Sequence, residues 1–215
     1  MKTGKSINFI FQGKTVTVFN QRSRLWTHPY DDKTPQMATL SSAGCGVFSI
    51  CHCGQWLTGN TFDPEALADF STANGGLDDT GTNRPELLAS MMKSGLARAY
   101  GFRYEMDGLR NDTDTLWDHL AAHRGIALCN LRVGHIVSLA DMRIVDGEKQ
   151  ALVIDSYSET SDPRVTPIVR EIIRDSAIET EESNEKGFYA FSRTQYAMYW
   201  ASGETIRDFN LLHAL

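Results

Sequence analysis

The sequence predicts an α+β domain in which helices come first along the chain and an antiparallel sheet follows. Residues 45–123 hold apolar stretches that begin at capping residues and end at glycines, whereas residues 126–154 hold three short apolar runs typical of strands. Asp146-Gly147 separates the last two runs, and an Asp-Gly pair is a strong signal for a two-residue hairpin turn. Helices followed by hairpin-linked strands are typical of the α+β class.

Four helices are predicted from their start and stop signals. Asp63 is a good N-cap for the second helix, and Pro64 suits its first position. Gly75 and Gly95 follow the second and third helices, where glycine commonly ends a helix. The predicted helices span residues 45–57, 63–75, 84–93 and 113–123.

Strand signals occur at the N-terminus and after the last helix. Gln12-Gly13-Lys14 separates two partly alternating runs, which we interpret as an N-terminal hairpin. The predicted strands are Ser6–Phe11, Thr15–Phe19, Ile126–Leu131, His135–Met142 and Ala151–Ile154. Further on, the aromatic residues Tyr196, Tyr199 and Trp200 are expected on a short helix that packs against the sheet.

The chain of 215 residues fits a single domain, residues 1–215. Within it we expect an N-terminal hairpin (1–20), a catalytic core (21–157) and a C-terminal extension (160–215). A net charge of −6 without a basic run argues against a nucleic-acid partner. No apolar stretch approaches the ~20 residues of a membrane span, and no signal peptide is recognisable. These features predict a cytoplasmic protein, with export by another route and the oligomeric state left open.

Cys45 is the candidate nucleophile. It lies between two glycines, directly before an apolar run with helical character. A helix N-terminus carries roughly half a positive charge, which lowers the pKa of a thiol and favours the reactive thiolate. Gly44 and Gly46 are expected to leave room for a substrate backbone beside the thiol.

His135 and Asp155 are the candidate base and orienting residue. Each lies in one of the two strands that Asp146-Gly147 joins, so an antiparallel pairing brings them close together. A cysteine nucleophile needs such a base, and the base needs a group that orients it. A thiol on a helix, with histidine and aspartate on a sheet, is the arrangement of papain-like cysteine peptidases.

The remaining cysteines give no metal signal. Cys51 and Cys53 are separated by one residue, which is unlike the usual zinc spacings and places them on different sides of a helix. Together with Cys129 they are predicted to be free, buried thiols. We therefore expect neither a metal nor another cofactor.

The chain resembles the bacteriocin-leader (double-glycine) peptidase-like family of papain-fold cysteine peptidases. The resemblance covers roughly residues 21–157. Its matching stretches are Gln21-Arg22-Ser23-Arg24-Leu25-Trp26, Ala43-Gly44-Cys45-Gly46, Asp63-Pro64 to Asn74-Gly75, Gly134-His135-Ile136-Val137 and Ile154-Asp155-Ser156. The resemblance implies a papain-like fold with Cys45 as nucleophile, His135 as base and Asp155 as orienting residue. It also implies that Gln21 and the backbone N–H of Cys45 form the oxyanion hole.

Two departures from the family limit what the resemblance implies. Val47-Phe48 follow the Gly-Cys-Gly element, where the family often has a proline and a small residue. Leader-trimming enzymes are commonly fused to membrane transporters, and no membrane segment is recognisable in this sequence, so leader cleavage is not carried over.

The predicted function is hydrolysis of a peptide or amide bond through a Cys-His-Asp triad and a thioester, with a peptide or protein as substrate. Two alternatives stay open. One is a thioester-forming acyltransferase of transglutaminase type, in which an amine outcompetes water. The other is a non-catalytic binding module on a degenerate peptidase fold.

Overall fold

The structure is a computed structural model that describes residues 5–21, 23, 25–31, 38–79, 81–132, 134–157, 179–180 and 197–215. Its helices are α1 (Leu40–Ala43), α2 (Cys45–Thr58), α3 (Pro64–Ala73), α4 (Arg84–Ser94), α5 (Leu96–Ala99) and α6 (Thr113–Ala121). Its strands are β1 (Ser6–Phe11), β2 (Lys14–Phe19), β3 (Leu77–Asp78), β4 (Gly81–Thr82), β5 (Phe102–Tyr104), β6 (Gly125–Leu131), β7 (His135–Val145), β8 (Glu148–Asp155), β9 (Glu179–Thr180), β10 (Ala197–Ser202) and β11 (Ile206–Ala214).

A six-stranded antiparallel sheet is the centre of the fold, in the order β10-β8-β7-β6-β11-β5. β2, β1 and β9 form a three-stranded sheet, and β3 pairs with β4 in a short ribbon. This mixture of helices with a large antiparallel sheet confirms the α+β class. The four predicted helices are present as α2, α3, α4 and α6, with ends that differ by a few residues at most.

Both predicted hairpins are present, and their turns have the expected chemistry. Asp146 and Gly147 have φ values of 51° and 84°, and Gln12 and Gly13 have φ values of 49° and 77°. Positive φ at both central residues is the mark of the type I′ turn, whose twist matches that of the flanking strands. The turn at Asp146-Gly147 fixes the register that brings β7 and β8 together.

The helix expected around Tyr199 and Trp200 is wrong, because both residues lie on strand β10. Tyr199 is opposite Val153 and Trp200 is opposite Leu152. Aromatic residues suit a strand that packs on both faces, and the pairing with β8 decides the conformation here. Tyr196 lies outside the described residues. β10 and β11, both in the predicted C-terminal extension, thus contribute two strands to the central sheet.

Helix α2 is held against the sheet by buried side chains and by two reciprocal hydrogen bonds. Every residue from 46 to 55 is buried, as expected for a helix covered on all sides. Ser49 Oγ donates to the carbonyl oxygen of Ile136 on β7 at 2.9 Å, and Ser138 Oγ donates to the carbonyl oxygen of Ser49 at 2.7 Å. These bonds set the first turn of α2, where Cys45 lies, against the start of β7, where His135 lies.

Candidate active site

Cys45 is the first residue of α2 and is partly buried. Gly44 is the N-cap and offers no side chain to the free amides of the first turn, so the positive end of the helix dipole faces the thiol. Burial raises the pKa of Cys45. The hydrogen bond with His135, the charge of that histidine and backbone hydrogen bonds outweigh this effect, and the pKa lies below its ordinary value. The thiol therefore has the electrostatic setting of a nucleophile.

The glycines on either side of Cys45 serve packing within the protein, which corrects the expectation that they leave room for substrate. A β-carbon at Gly44 would lie 2.6 Å from the carbonyl oxygen of Leu40. A β-carbon at Gly46 would lie 2.5 Å from the β-carbon of Thr82 on β4. Leu40 is a local neighbour four residues before Gly44, whereas the sequence alone did not reveal Thr82, which is distant from Gly46 along the chain.

His135 and Asp155 form a close ion pair. His135 Nε2 lies 2.6 Å from Asp155 Oδ1, and the side chain of Asp155 is only 1% exposed. Val153 is opposite Leu139 in the β7–β8 register, so His135 and Asp155 lie on the same face of the sheet. They are diagonal neighbours rather than directly opposite residues, and their side chains meet by leaning along the strands.

The aspartate leaves the histidine charged at neutral pH. Burial lowers the pKa of His135. The charge of Asp155, the hydrogen bond to it and the interactions with Cys45 raise the pKa to about 10. Because Nε2 is bonded to Asp155, Nδ1 is the ring nitrogen that remains for the thiol. The structure thus brings Cys45, His135 and Asp155 into one hydrogen-bonded array, in the order that the sequence predicted.

Two tyrosines complete the surroundings of this array. The backbone N–H of Tyr157 donates to Asp155 Oδ1 at 2.8 Å, and the Tyr157 ring stands edge-on to the His135 ring with centroids 5.9 Å apart. The Tyr199 hydroxyl donates to Asp155 Oδ2 at 2.9 Å. Sequence reasoning missed both roles. A bond from Asp155 to the amide two residues on is a common local pattern, whereas no sequence signal connects Tyr199 with Asp155.

Gln21 lies beside the residue that follows Asp155. Its backbone N–H donates to the carbonyl oxygen of Ser156 at 3.0 Å, and Ser156 Oγ donates to its side-chain oxygen at 3.1 Å. The side chain of Gln21 is buried. Oε1 accepts the bond from Ser156, which fixes the orientation of the amide group. The amide nitrogen is the hydrogen-bond donor at the other position of that group.

The other cysteines differ from Cys45 in their burial and in the direction in which their pKa values shift. Cys51, Cys53 and Cys129 are free and buried, as predicted. Burial raises the pKa of each thiol, to about 12 for Cys53 and Cys129. His52, about two turns beyond Cys45 along α2, is also buried, and burial lowers its pKa to about 3, so it remains neutral. In the described ranges, no group of three or more histidine, cysteine or acidic residues could hold a metal ion.

The chain matches no protein-family model, no curated protein and no solved structure. Across the described residues, no helix is long and apolar enough to cross a membrane.

Proposed function

We propose that this protein is a cysteine peptidase or amidase with a papain-like fold, which hydrolyses peptide or amide bonds through Cys45, His135 and Asp155. One observation carries the proposal. The thiol of a partly buried cysteine at a helix N-terminus is hydrogen-bonded to a histidine that a buried aspartate keeps protonated. A thiolate paired with an imidazolium is the activated nucleophile of cysteine hydrolases.

The first chemical step forms a thioester. The Cys45 thiolate attacks the carbonyl carbon of the scissile bond, and the carbonyl oxygen takes up the negative charge. Collapse of this tetrahedral intermediate breaks the C–N bond, and the imidazolium of His135 gives its proton to the departing amine. The acyl group is then held on Cys45 Sγ, and His135 is neutral.

The second step releases the acid. Neutral His135 takes a proton from water, the hydroxide oxygen attacks the thioester carbonyl, and the C–S bond breaks. The carboxylic acid leaves, and Cys45 and His135 return to the thiolate and imidazolium forms. Asp155 keeps the imidazole ring in one orientation and stabilises its positive charge in both steps.

Gln21 is the proposed side-chain donor of the oxyanion hole, with the backbone N–H of Cys45 as its partner. The bonds to Ser156 support this role, because they tie the amide oxygen back and leave the amide nitrogen as the donor. We expect Gln21→Ala to lower kcat by about 10²–10³-fold, as for other single oxyanion-hole donors, and to lower the free energy of unfolding by about 1–3 kcal/mol because the buried Ser156 hydroxyl loses its acceptor. A kcat within about twofold of wild type would remove Gln21 from the proposal.

The proposed substrate is a peptide or protein, met in the cytoplasm. The motif resemblance around Cys45, His135 and Asp155 to the bacteriocin-leader peptidase-like family is part of this proposal, and leader cleavage remains outside it. The test is digestion of a mixed peptide library, with new termini identified by mass spectrometry. Wild type and Cys129→Ala, which removes a buried thiol, are expected to cleave, whereas Cys45→Ala and His135→Ala are expected to be inactive while folded.

Two outcomes of this digestion decide between the classes. Cleavage that survives Cys45→Ala would show that the nucleophile is wrong. Adding a primary amine separates hydrolysis from acyl transfer: amide products that replace the free acids at millimolar amine would assign the protein to the acyltransferases instead.

A further inference from the structure

Tyr199 contacts the triad from a strand that lies on the opposite side of β8 from His135. It is opposite Val153 in the β10–β8 register, and therefore lies on the same face of the sheet as Asp155. Its hydroxyl donates to Asp155 Oδ2 at 2.9 Å, while Oδ1 is taken by His135 and by the Tyr157 amide. The ring of Tyr199 is 1% exposed.

We infer that Tyr199 is a positioning residue of the triad, whose hydroxyl holds Asp155 Oδ2 so that Oδ1 stays directed at His135. The inference rests on the proposed function. It adds a residue from strand β10 to Cys45, His135, Asp155 and Gln21, which the sequence indicated. Tyr199 acts in this scheme through Asp155.

The hydroxyl matters because Asp155 is buried. A carboxylate that is 1% exposed depends on protein donors rather than on water for its hydrogen bonds. Loss of the Tyr199 donor removes a hydrogen bond from the buried carboxylate and frees the group to turn about its last torsion. Either change weakens the stabilisation of the His135 imidazolium, and through it that of the Cys45 thiolate.

The groups around Asp155 leave Tyr199 as the donor across the working pH range. Burial and the charge of Asp155 raise the pKa of Tyr199 well above its ordinary value, so its hydroxyl keeps its proton. The Asp155 carboxylate interacts with the charge of His135 on β7. It also raises the pKa of His52 on α2, but burial has the larger effect and lowers that pKa to about 3, so His52 remains neutral. Cys129 of β6 has an electrostatic interaction with Tyr199 that also raises the tyrosine pKa. Burial raises the pKa of the Cys129 thiol itself to about 12.

The test is the pH profile of Cys45 alkylation by iodoacetamide in Tyr199→Phe, with the labelled peptide identified by mass spectrometry. We expect the pH of half-maximal rate to rise by about 1, which slows labelling about tenfold below both midpoints. Tyr104→Phe is the matched control. It removes another buried hydroxyl, bonded to Gly108 and Asn210 on the β5 side of the sheet, and should leave the profile unchanged.

A double-variant comparison separates positioning from packing. In an Asp155→Ala background, Tyr199→Phe should shift the profile no further, because the group that accepts the hydroxyl's hydrogen bond is gone. If Tyr199→Phe does not fold, a fluorinated tyrosine at position 199 keeps the shape and strengthens the donor. The pH of half-maximal rate should then fall.

The outcomes distinguish the inference from the proposed function. A wild-type thiol that titrates like free cysteine contradicts the proposed function, and the inference with it. A wild-type thiol that reacts at low pH, with a Tyr199→Phe profile that coincides with it, overturns the inference alone, even if the variant is less stable. A shift in Tyr104→Phe of the same size would also overturn it.

Discussion

At the scale of single residues, the pKa of Cys45 is lowered and the pKa of His135 is raised, so that their order is reversed and both side chains are charged at neutral pH. The hydrogen bond with His135 outweighs burial and lowers the pKa of the thiol, while Asp155 outweighs burial and raises the pKa of the imidazole to about 10. The ion pair therefore exists from the lowered pKa of Cys45 up to about pH 10. Below this window the thiolate is lost, and above it the imidazolium is lost.

Peptide turnover should follow this window. Above about pH 10 the Cys45 thiolate persists, but neutral His135 has no proton to give to the leaving amine, so kcat/KM is expected to fall as pH rises through about 10. A pH–rate profile with the best library substrate measures this limb. A fall centred near pH 6.5, the ordinary pKa of histidine, would contradict the role assigned to Asp155.

Gly46 offers a second prediction at this scale. A β-carbon there would lie 2.5 Å from the β-carbon of Thr82, so Gly46→Ala is expected to lower the free energy of unfolding by about 1–3 kcal/mol through overpacking. Urea unfolding measures the loss. With Thr82→Gly added, the double variant should lose less than the sum of the two single variants, and additive losses would argue against this contact.

At the scale of elements, the hydrogen bonds between α2 and β7 hold the nucleophile and the base together. Removing the hydroxyl in Ser49→Ala or Ser138→Ala is expected to lower the free energy of unfolding by about 1 kcal/mol each. The two changes should be non-additive, because both bonds use groups of Ser49. Labelling of Cys45 at pH 6 should slow in the double variant as α2 loosens against β7.

Ser90→Ala is the control for this comparison. Its hydroxyl donates to the carbonyl oxygen of Asn74 in an exposed setting, and its loss should change stability by no more than about 0.5 kcal/mol. Equal losses of unfolding free energy in Ser90→Ala and Ser49→Ala would mean that the α2–β7 hydrogen bonds stabilise the protein no more than an exposed one does. Unchanged labelling in the double variant would mean that they do not position Cys45.

At the scale of the whole molecule, the C-terminal strands belong to the central sheet. β11 lies between β6 and β5, and β10 brings Tyr199 to Asp155. A chain that ends at residue 157 is therefore expected to lose cooperative unfolding in thermal denaturation followed by near-ultraviolet circular dichroism. Removal of Leu215 alone, which is 69% exposed, is the control and should leave the transition in place. Cooperative unfolding of the shortened chain would contradict this view of the sheet.

Local signals predicted much of the fold and of the site. Capping residues and glycines marked α2, α3, α4 and α6, and Asp146-Gly147 marked the hairpin that joins His135 to Asp155. Helix starts, tight turns and alternating strands are determined over a few residues, so one sequence displays them. The placement of Gln21 next to Ser156 was beyond such signals, because the two residues are distant along the chain.

What the sequence did not predict depends on contacts between distant segments. Tyr199 was expected on a helix because a short aromatic run has no clear period, and only pairing with β8 makes it a strand. The space beside Gly46 was expected to be open, and Thr82 from β4 fills it. In both cases the deciding neighbour lies more than 30 residues away along the chain.

The most direct test of the central claim is the pH dependence of Cys45 alkylation, measured in wild type and in His135→Ala. We expect rapid labelling well below pH 8 in the wild type, and its loss in the variant, because the thiolate depends on the imidazolium beside it. Slow labelling that follows an ordinary thiol near pH 8.5, with no change in His135→Ala, would contradict the account.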